Sequence, residues 1–281
     1  MTWESNANRP TMDDNLQYHI RCKKGDVNRY VLLPGDPARA DMIAREWRDA
    51  RFISSNREHR THSGYLPPLN QNGQPIPVTC CSTGMGGGST SIAMEELGAL
   101  GADTFIRVGT CGAFSASVEC GDLIICSGAM RQDGTSPDYV DISYPAMAHY
   151  EVTAALVAAC ERLGVAYHVG VSCSTASFYC GQARPGLGGY GQSMHDNKID
   201  DLERAGVLDF EMEAATVFTL AGIYGFRAGA VLSVVAHRRK NEFKYEGIDR
   251  SVGAANESIR ILADMDERRV AKNKKYWYPG L

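Results

Sequence analysis

No stretch of this chain is apolar for long enough to cross a bilayer, which takes about twenty consecutive residues. The opening residues, MTWESNANRPTMDDN, lack the apolar centre of a secretory signal. The expectation is a cytoplasmic protein with no membrane partner. Positive charge is not in excess either: 29 Lys and Arg face 33 Asp and Glu, for a net charge of −4. A chain so balanced offers no broad basic face to a nucleic-acid backbone, although a local cluster of arginines could still hold a small anion. Cysteine is present nine times, but with no CxxC pair and no Cys/His spacing of the kind that binds zinc. The count is odd, and Cys80, Cys81 and Cys126 fall in apolar runs, so reduced core thiols are expected rather than disulfides. No internal repeat and no long linker divides the sequence. With 44% hydrophobic residues over 281 positions, the chain can bury a sizeable core. A single domain over 1–281 is expected, with 1–15 and 273–281 as peripheral tails.

Short apolar runs alternate with helical patterns, which argues for an α/β fold. YVLLP (30–34), PVTCCSTG (77–84), TFIRVGT (104–110), GDLIICSGA (121–129), AYHVGVSCSTA (166–176) and GAVLSVVAH (229–237) read as strands. Helices are expected at 37–48, 89–100, 151–163, 211–225 and 249–271. Asp36 is placed to cap the first of these, and Pro37 suits its first turn. The segment 181–200, rich in Gly, Gln, Asp and Asn, reads as a loop.

Several segments carry residue types suited to an anion or a flat polar ring. GDPAR (35–39) joins a strand to a helix, where backbone N–H groups and the helix dipole favour an anion; Gly35 permits close approach and Arg39 adds a forked charge. A plain helix cap with a solvated arginine fits the same residues. GMGGGSTS (84–91) fails as a dinucleotide loop, because Ser89 stands where GxGxxG needs its third glycine. In RVGTCGA (107–113), Arg107 lies inside an apolar strand and needs a partner, which an oxyanion or a core carboxylate could supply. Thr110 follows at the strand's end. FYCGQAR (178–184) brings Phe178, Gln182 and Arg184 together, a set able to stack on an imide ring and bond its edge, or to form an ordinary polar loop. FEMEAA (210–215) places Glu211 and Glu213 at a helix start, where carboxylates suit the dipole and could also grip a vicinal diol with Met212 packed on the sugar.

The order and spacing of LPGDPAR (33–39), STGMGGGSTSIAMEELGALG (82–101), FIRVGTCGA (105–113), GVSCSTASFYCGQAR (170–184) and FEMEAAT (210–216) together resemble the nucleoside phosphorylase and uridine phosphorylase family. The resemblance runs from Tyr18-His19-Ile20 to at least His237-Arg238-Arg239. It implies a three-layer α/β/α fold with a mixed central sheet. It also implies reversible phosphorolysis of uridine to uracil and ribose 1-phosphate, with phosphate as co-substrate and no other cofactor. On that pattern Gly35, Arg39, Arg107 and Thr110 would hold phosphate, joined by Arg57 of a neighbouring subunit. His19 of the neighbour, with Tyr18 nearby, would bind the ribose 5′-hydroxyl, and Glu213, Met212 and Glu211 the rest of the sugar. Phe178, Gln182 and Arg184 would bind the base, with Arg238 close by. A homohexamer built as a trimer of dimers is implied, with a potassium-type cation site at Glu58, Met85 and Ser89. Asn56, Gly88 and Cys111 depart from the residues common at their positions.

Relatives acting on purines carry an acid after the strand matching 229–236, to protonate the leaving base. Here the segment SVVAHRRK (233–240) has none, which favours a pyrimidine. The alternatives are a purine nucleoside phosphorylase, a nucleosidase using water, which would not need the arginines, and a non-catalytic nucleoside-binding protein.

Overall fold

A computed structural model describes residues 5–70 and 73–281; of the expected tail at 1–15, residues 1–4 lie outside the described residues. β1 (Tyr30–Pro34) enters the core with every side chain buried, and Asp36 accepts a hydrogen bond from the Ala38 amide to start α1 (Pro37–Ala44). This helix is four residues shorter than the sequence pattern suggests. Trp47 leaves it to pack into the core and donates to Asn256 at 3.0 Å, and the chain is already extended at Arg48. The polar segment that follows forms a hairpin of β2 (Arg48–Asn56) and β3 (His59–Leu66), unforeseen because β2 has one apolar face at most and lies at the sheet edge.

β4 (Ile76–Cys81), α2 (Gly87–Ala99), β5 (Thr104–Ala113) and β6 (Leu123–Gln132) fall where the apolar runs place them. A short helix α3 (Ser136–Tyr139) and strand β7 (Ala146–Met147) lead to α4 (Tyr150–Leu163), which stops at Gly164 in the left-handed conformation. β8 (Tyr167–Thr175) precedes a loop of short turns, and α5 (Lys198–Arg204) begins inside the stretch read as loop. β9 (Val207–Glu211) corrects a second expectation: Glu211 ends a strand and Glu213 is the N-cap of α6 (Ala214–Tyr224), so the two glutamates do not share a first helical turn. β10 (Arg227–His237), β11 (Glu242–Phe243) and α7 (Ile248–Ala271) complete the chain. The tail 273–281 docks: the Trp277 amide donates to Glu151 at 3.2 Å, Tyr150 donates to the Trp277 carbonyl at 2.7 Å, and Leu281 is buried.

Among the described residues, all eleven strands join one mixed sheet. One edge of β5 pairs in parallel with β10 from Thr104 to Ala113. Its other edge is shared: β1 holds it from Thr104 to Val108, and β9 takes it, antiparallel, at Gly112 and Ala113. Because β10 also pairs with β6, β6 with β8 and β8 with β9, five strands close into a ring through β5. The β5 edge between Val108 and Gly112 is paired with neither β1 nor β9. A splay between diverging strands is where open α/β sheets bind ligands. α1, α4 and α7 bury one apolar cluster against the sheet, and α2 and α6 the other, giving three layers. All nine cysteines are free, and only Cys120 and Cys180 are not fully buried.

Candidate active site

A cavity of about 730 Å³ opens at this splay. Gly35, Arg39, Glu58, Met85, Ser89, Arg107, Thr110, Phe178, Gln182, Arg184, Glu211, Met212 and Glu213 all line it, from segments far apart in sequence. At its floor, Arg39 donates through Nη1 to the Val108 carbonyl at 3.0 Å, the last residue paired with β1. Its buried Nε has no hydrogen-bond partner. Gly35 lets its turn pack closely on the glycine-rich turn, since a Cβ there would stand 3.1 Å from the Gly84 carbonyl.

Arg107 does find core carboxylates, and two of them. Its Nε meets Glu211 Oε2 at 2.9 Å, and Nη2 meets Glu213 Oε2 at 2.5 Å. The guanidinium folds along β5 over Gly109, where a Cβ would sit 2.7 Å from Nη2. Burial opposes its charge, but Glu213 and Glu211 more than offset that and raise its pKa. Among the described residues, no acceptor is supplied to its Nη1. Glu211 is spent internally. It accepts from the amides of Glu213 and Ala214 at 2.8–3.0 Å and from the Ser174 hydroxyl, so it anchors the start of α6 and orients Arg107. Glu213 also accepts from the Gly86 amide at 2.5 Å, tying α6 to the glycine-rich turn. Burial lifts its carboxyl above the usual range, against the pull of Arg107.

On the opposite wall, Arg184 donates to the Phe178 carbonyl at 2.8 Å and to Gln182 Oε1, and its guanidinium lies 3.9 Å from the centre of the Phe178 ring. Phe178 therefore offers one face to the arginine. Burial, with the charge of Arg238 nearby, pushes Arg184 down to about 10. Arg238 does not line the cavity. It donates to the carbonyls of Gln182 and Ala183 at 2.7 and 3.3 Å and so supports the loop from beneath.

His19 and Arg57 are also outside this chain's own cavity. They lie near each other, because Asn56 donates to the His19 carbonyl at 2.7 Å; Arg57 is exposed at the β2–β3 turn, and His19 Nδ1 meets Glu96 at 2.7 Å. Sequence reasoning missed Val235, Ala236, Phe243 and Tyr245, which line the cavity. A bulge in β10 between Val234 and Ala236 interrupts the alternation that would have placed the first two. The aromatics of EFKYE (242–246) alternate as in a strand, a signal passed over because the run is short and polar. Among the described residues, no group of three or more His, Cys, Asp or Glu could hold a metal ion, and no helix is long and apolar enough to cross a membrane.

This arrangement, a cavity lined by buried arginines, a buried carboxylate and an amide–guanidinium pair at the splay of a mixed sheet, lies on a phosphorylase fold. The sequence model of the phosphorylase superfamily matches residues 29–264, and the chain belongs to that family. It is 54% identical to a uridine phosphorylase of Thermococcus kodakarensis over 98% of this chain and 97% of the relative. A uridine phosphorylase of Haemophilus influenzae is 37% identical over 88% of this chain and 96% of its own length. A guanosine phosphorylase of Halorubrum lacusprofundi is 38% identical over 78% and 82%.

Proposed function

We propose that this chain is an enzyme that cleaves uridine with inorganic phosphate, reversibly, giving uracil and ribose 1-phosphate. The observation that carries the reading is the convergence of Arg39, Arg107, Thr110, Glu213, Gln182 and Arg184 on one cavity, with donors of both floor arginines left unspent.

Breaking a glycosidic bond builds positive charge on the ribose and negative charge on the departing base. A phosphate dianion on the floor, held by Arg39, Arg107, Thr110 and the Gly35 backbone, offsets the first charge and attacks the anomeric carbon. Placement and electrostatics supply most of the acceleration. Glu213, with Met212, holds the ribose hydroxyls on the phosphate side; Glu211 acts through Arg107 and the α6 amides. Uracil is an acidic imide, so the leaving charge needs donors more than a proton, and Gln182 and Arg184 supply them while Arg238 keeps their loop in place. No acidic side chain stands at 235–240 to protonate a purine.

His19 and Arg57 act in the site of a neighbouring copy. Their position outside this chain's own cavity supports that role; the homohexamer assembled from dimers rests on the resemblance to the family. Glu58 and Ser89 contribute oxygen donors, and Met85 its carbonyl, to a monovalent cation between subunits. The compartment is the cytoplasm.

A panel of uridine, inosine and guanosine, each assayed for base release with phosphate, tests the base assignment. Uracil release with both purine nucleosides inert is the expected result. Hypoxanthine or guanine release at a comparable rate would move the chain to the purine branch, on the side of its Halorubrum relative.

A further inference from the structure

One buried carboxyl close to the site has no part in the chemistry above. Asp209 lies two residues before Glu211 on β9, so both side chains point into the ring of strands. Its Oδ1 accepts from the Ser172 hydroxyl at 2.8 Å, and Ser172 Oγ is 3.0 Å from Cys126 Sγ. Among the described residues its buried Oδ2 meets no N–H or O–H donor; the Cys111 thiol beside it is a weak donor at most. The groups facing it are Glu211 on its own strand, Arg107 and Cys111 on β5, Cys126 on β6 and Ser172 on β8; β10 turns Leu232 to the same interior beside Gly109. Burial holds the Cys111 and Cys126 thiols well above their usual range, so they bring no charge. Among the described residues the cation facing it is Arg107, which already meets two carboxylates. A third carboxylate in this dry space has half its acceptor capacity unmet, which favours its neutral form. Burial accordingly pushes Asp209 up to about 7, with the Ser172 hydrogen bond working the other way and Glu211 adding to the rise.

We propose that Asp209 is a positioning residue for the anion site: while neutral it leaves the charge of Arg107 to Glu211, Glu213 and a bound oxyanion, and its ionisation weakens oxyanion binding. The coupling is reciprocal, so a bound dianion favours the neutral acid and binding takes up a proton. This rests on the anion site proposed above but not on the identity of the base.

Sulfate is the probe, because it remains a dianion where phosphate itself titrates. Calorimetric titration of sulfate into the wild-type protein, Asp209→Asn and Ser172→Ala from about pH 6 to about pH 8.5, in buffers of different ionisation enthalpy, reads affinity and proton uptake together. Wild-type affinity is expected to fall roughly tenfold across this range, the equivalent of one unit of coupled pKa shift, with proton uptake near neutrality. Asp209→Asn should hold the low-pH affinity throughout and lose that uptake. Ser172→Ala, which removes the hydroxyl hydrogen bond to the carboxylate, should move the fall to higher pH, and it tests the idea independently if the Asn variant does not fold. Equal slopes and equal proton uptake in wild type and Asp209→Asn, or a fall at unchanged pH in Ser172→Ala, would overturn the proposal. Failure of the wild-type protein to bind sulfate at any pH would overturn the anion site itself, and this inference with it.

Discussion

Two arginines of this fold each sit between a pair of carboxylates, and they are spent differently. Arg227, at the start of β10, meets Glu151 at 2.9 Å and Asp266 at 2.8–2.9 Å, and gives its remaining donors to the Thr104 hydroxyl at 3.0–3.2 Å. Tyr30 adds a hydrogen bond to Asp266 at 2.8 Å. Burial works against both acids, yet Arg227 holds each below its ordinary range. The cluster is closed and saturated. Arg107, farther along the adjoining strand, meets Glu211 and Glu213 just as closely but keeps donor capacity, and beside it Arg39 spends one nitrogen on Val108. Glu213 is raised by burial rather than lowered. The same residue types therefore make a structural knot where every donor is matched, and, where some are not, the place we propose for the anion.

Substitutions should separate the two. Arg39→Met is expected to lower kcat/KM for phosphate by about a hundred- to a thousandfold, the cost of removing one donor to developing or bound charge. Its melting temperature should stay close to wild type, because one carbonyl contact is lost. Steady-state kinetics and calorimetry read both. Arg227→Met should do the reverse: kcat/KM retained, and unfolding free energy reduced by roughly 3–5 kcal/mol as Glu151 loses its counterion and Asp266 keeps only Arg269 and Arg29. The pH dependence has a definite sign. Both acids have lowered pKa values when folded, so their contribution is full above the unfolded carboxylate range and disappears as pH falls through the folded values. Wild-type protein should lose stability below about pH 4–5 more steeply than Arg227→Met in acid melting curves. A variant with the opposite pattern, active-site loss from Arg227 or unfolding from Arg39, would erase the distinction.

The smallest expected effect lies at the base wall. Gln182→Ala should reduce kcat/KM for uridine by about ten- to a hundredfold while leaving the affinity for phosphate unchanged, since the amide faces Arg184 and not the floor. Unchanged uridine turnover would mean that the base binds elsewhere in the cavity.

The sequence disclosed the helix-capping Asp36 and the need of Arg107 for a partner, because each follows from local chemistry. It also placed six apolar strands, most clearly those such as β1 and β5 whose burial on both faces leaves an unbroken run. β9 was hidden because its inward residues are Asp209 and Glu211; a strand lining a polar ring interior does not show the expected alternation. For the same reason Glu211 read as part of a helix, and its true work, bracing Arg107 and the α6 amides, depends on a pairing of β8 with β9 that no local pattern encodes. Phe243 and Tyr245 reach the cavity only because the β10–β11 turn folds back over the sheet.

The central claim is that the unspent arginine donors hold the attacking phosphate. It is tested most directly by titrating phosphate against uracil release from uridine, with ribose 1-phosphate measured in the same samples. The account predicts no release without phosphate, saturation as it is added, and one ribose 1-phosphate per uracil. Uracil released at the same rate in phosphate-free buffer, with free ribose as the other product, would contradict it.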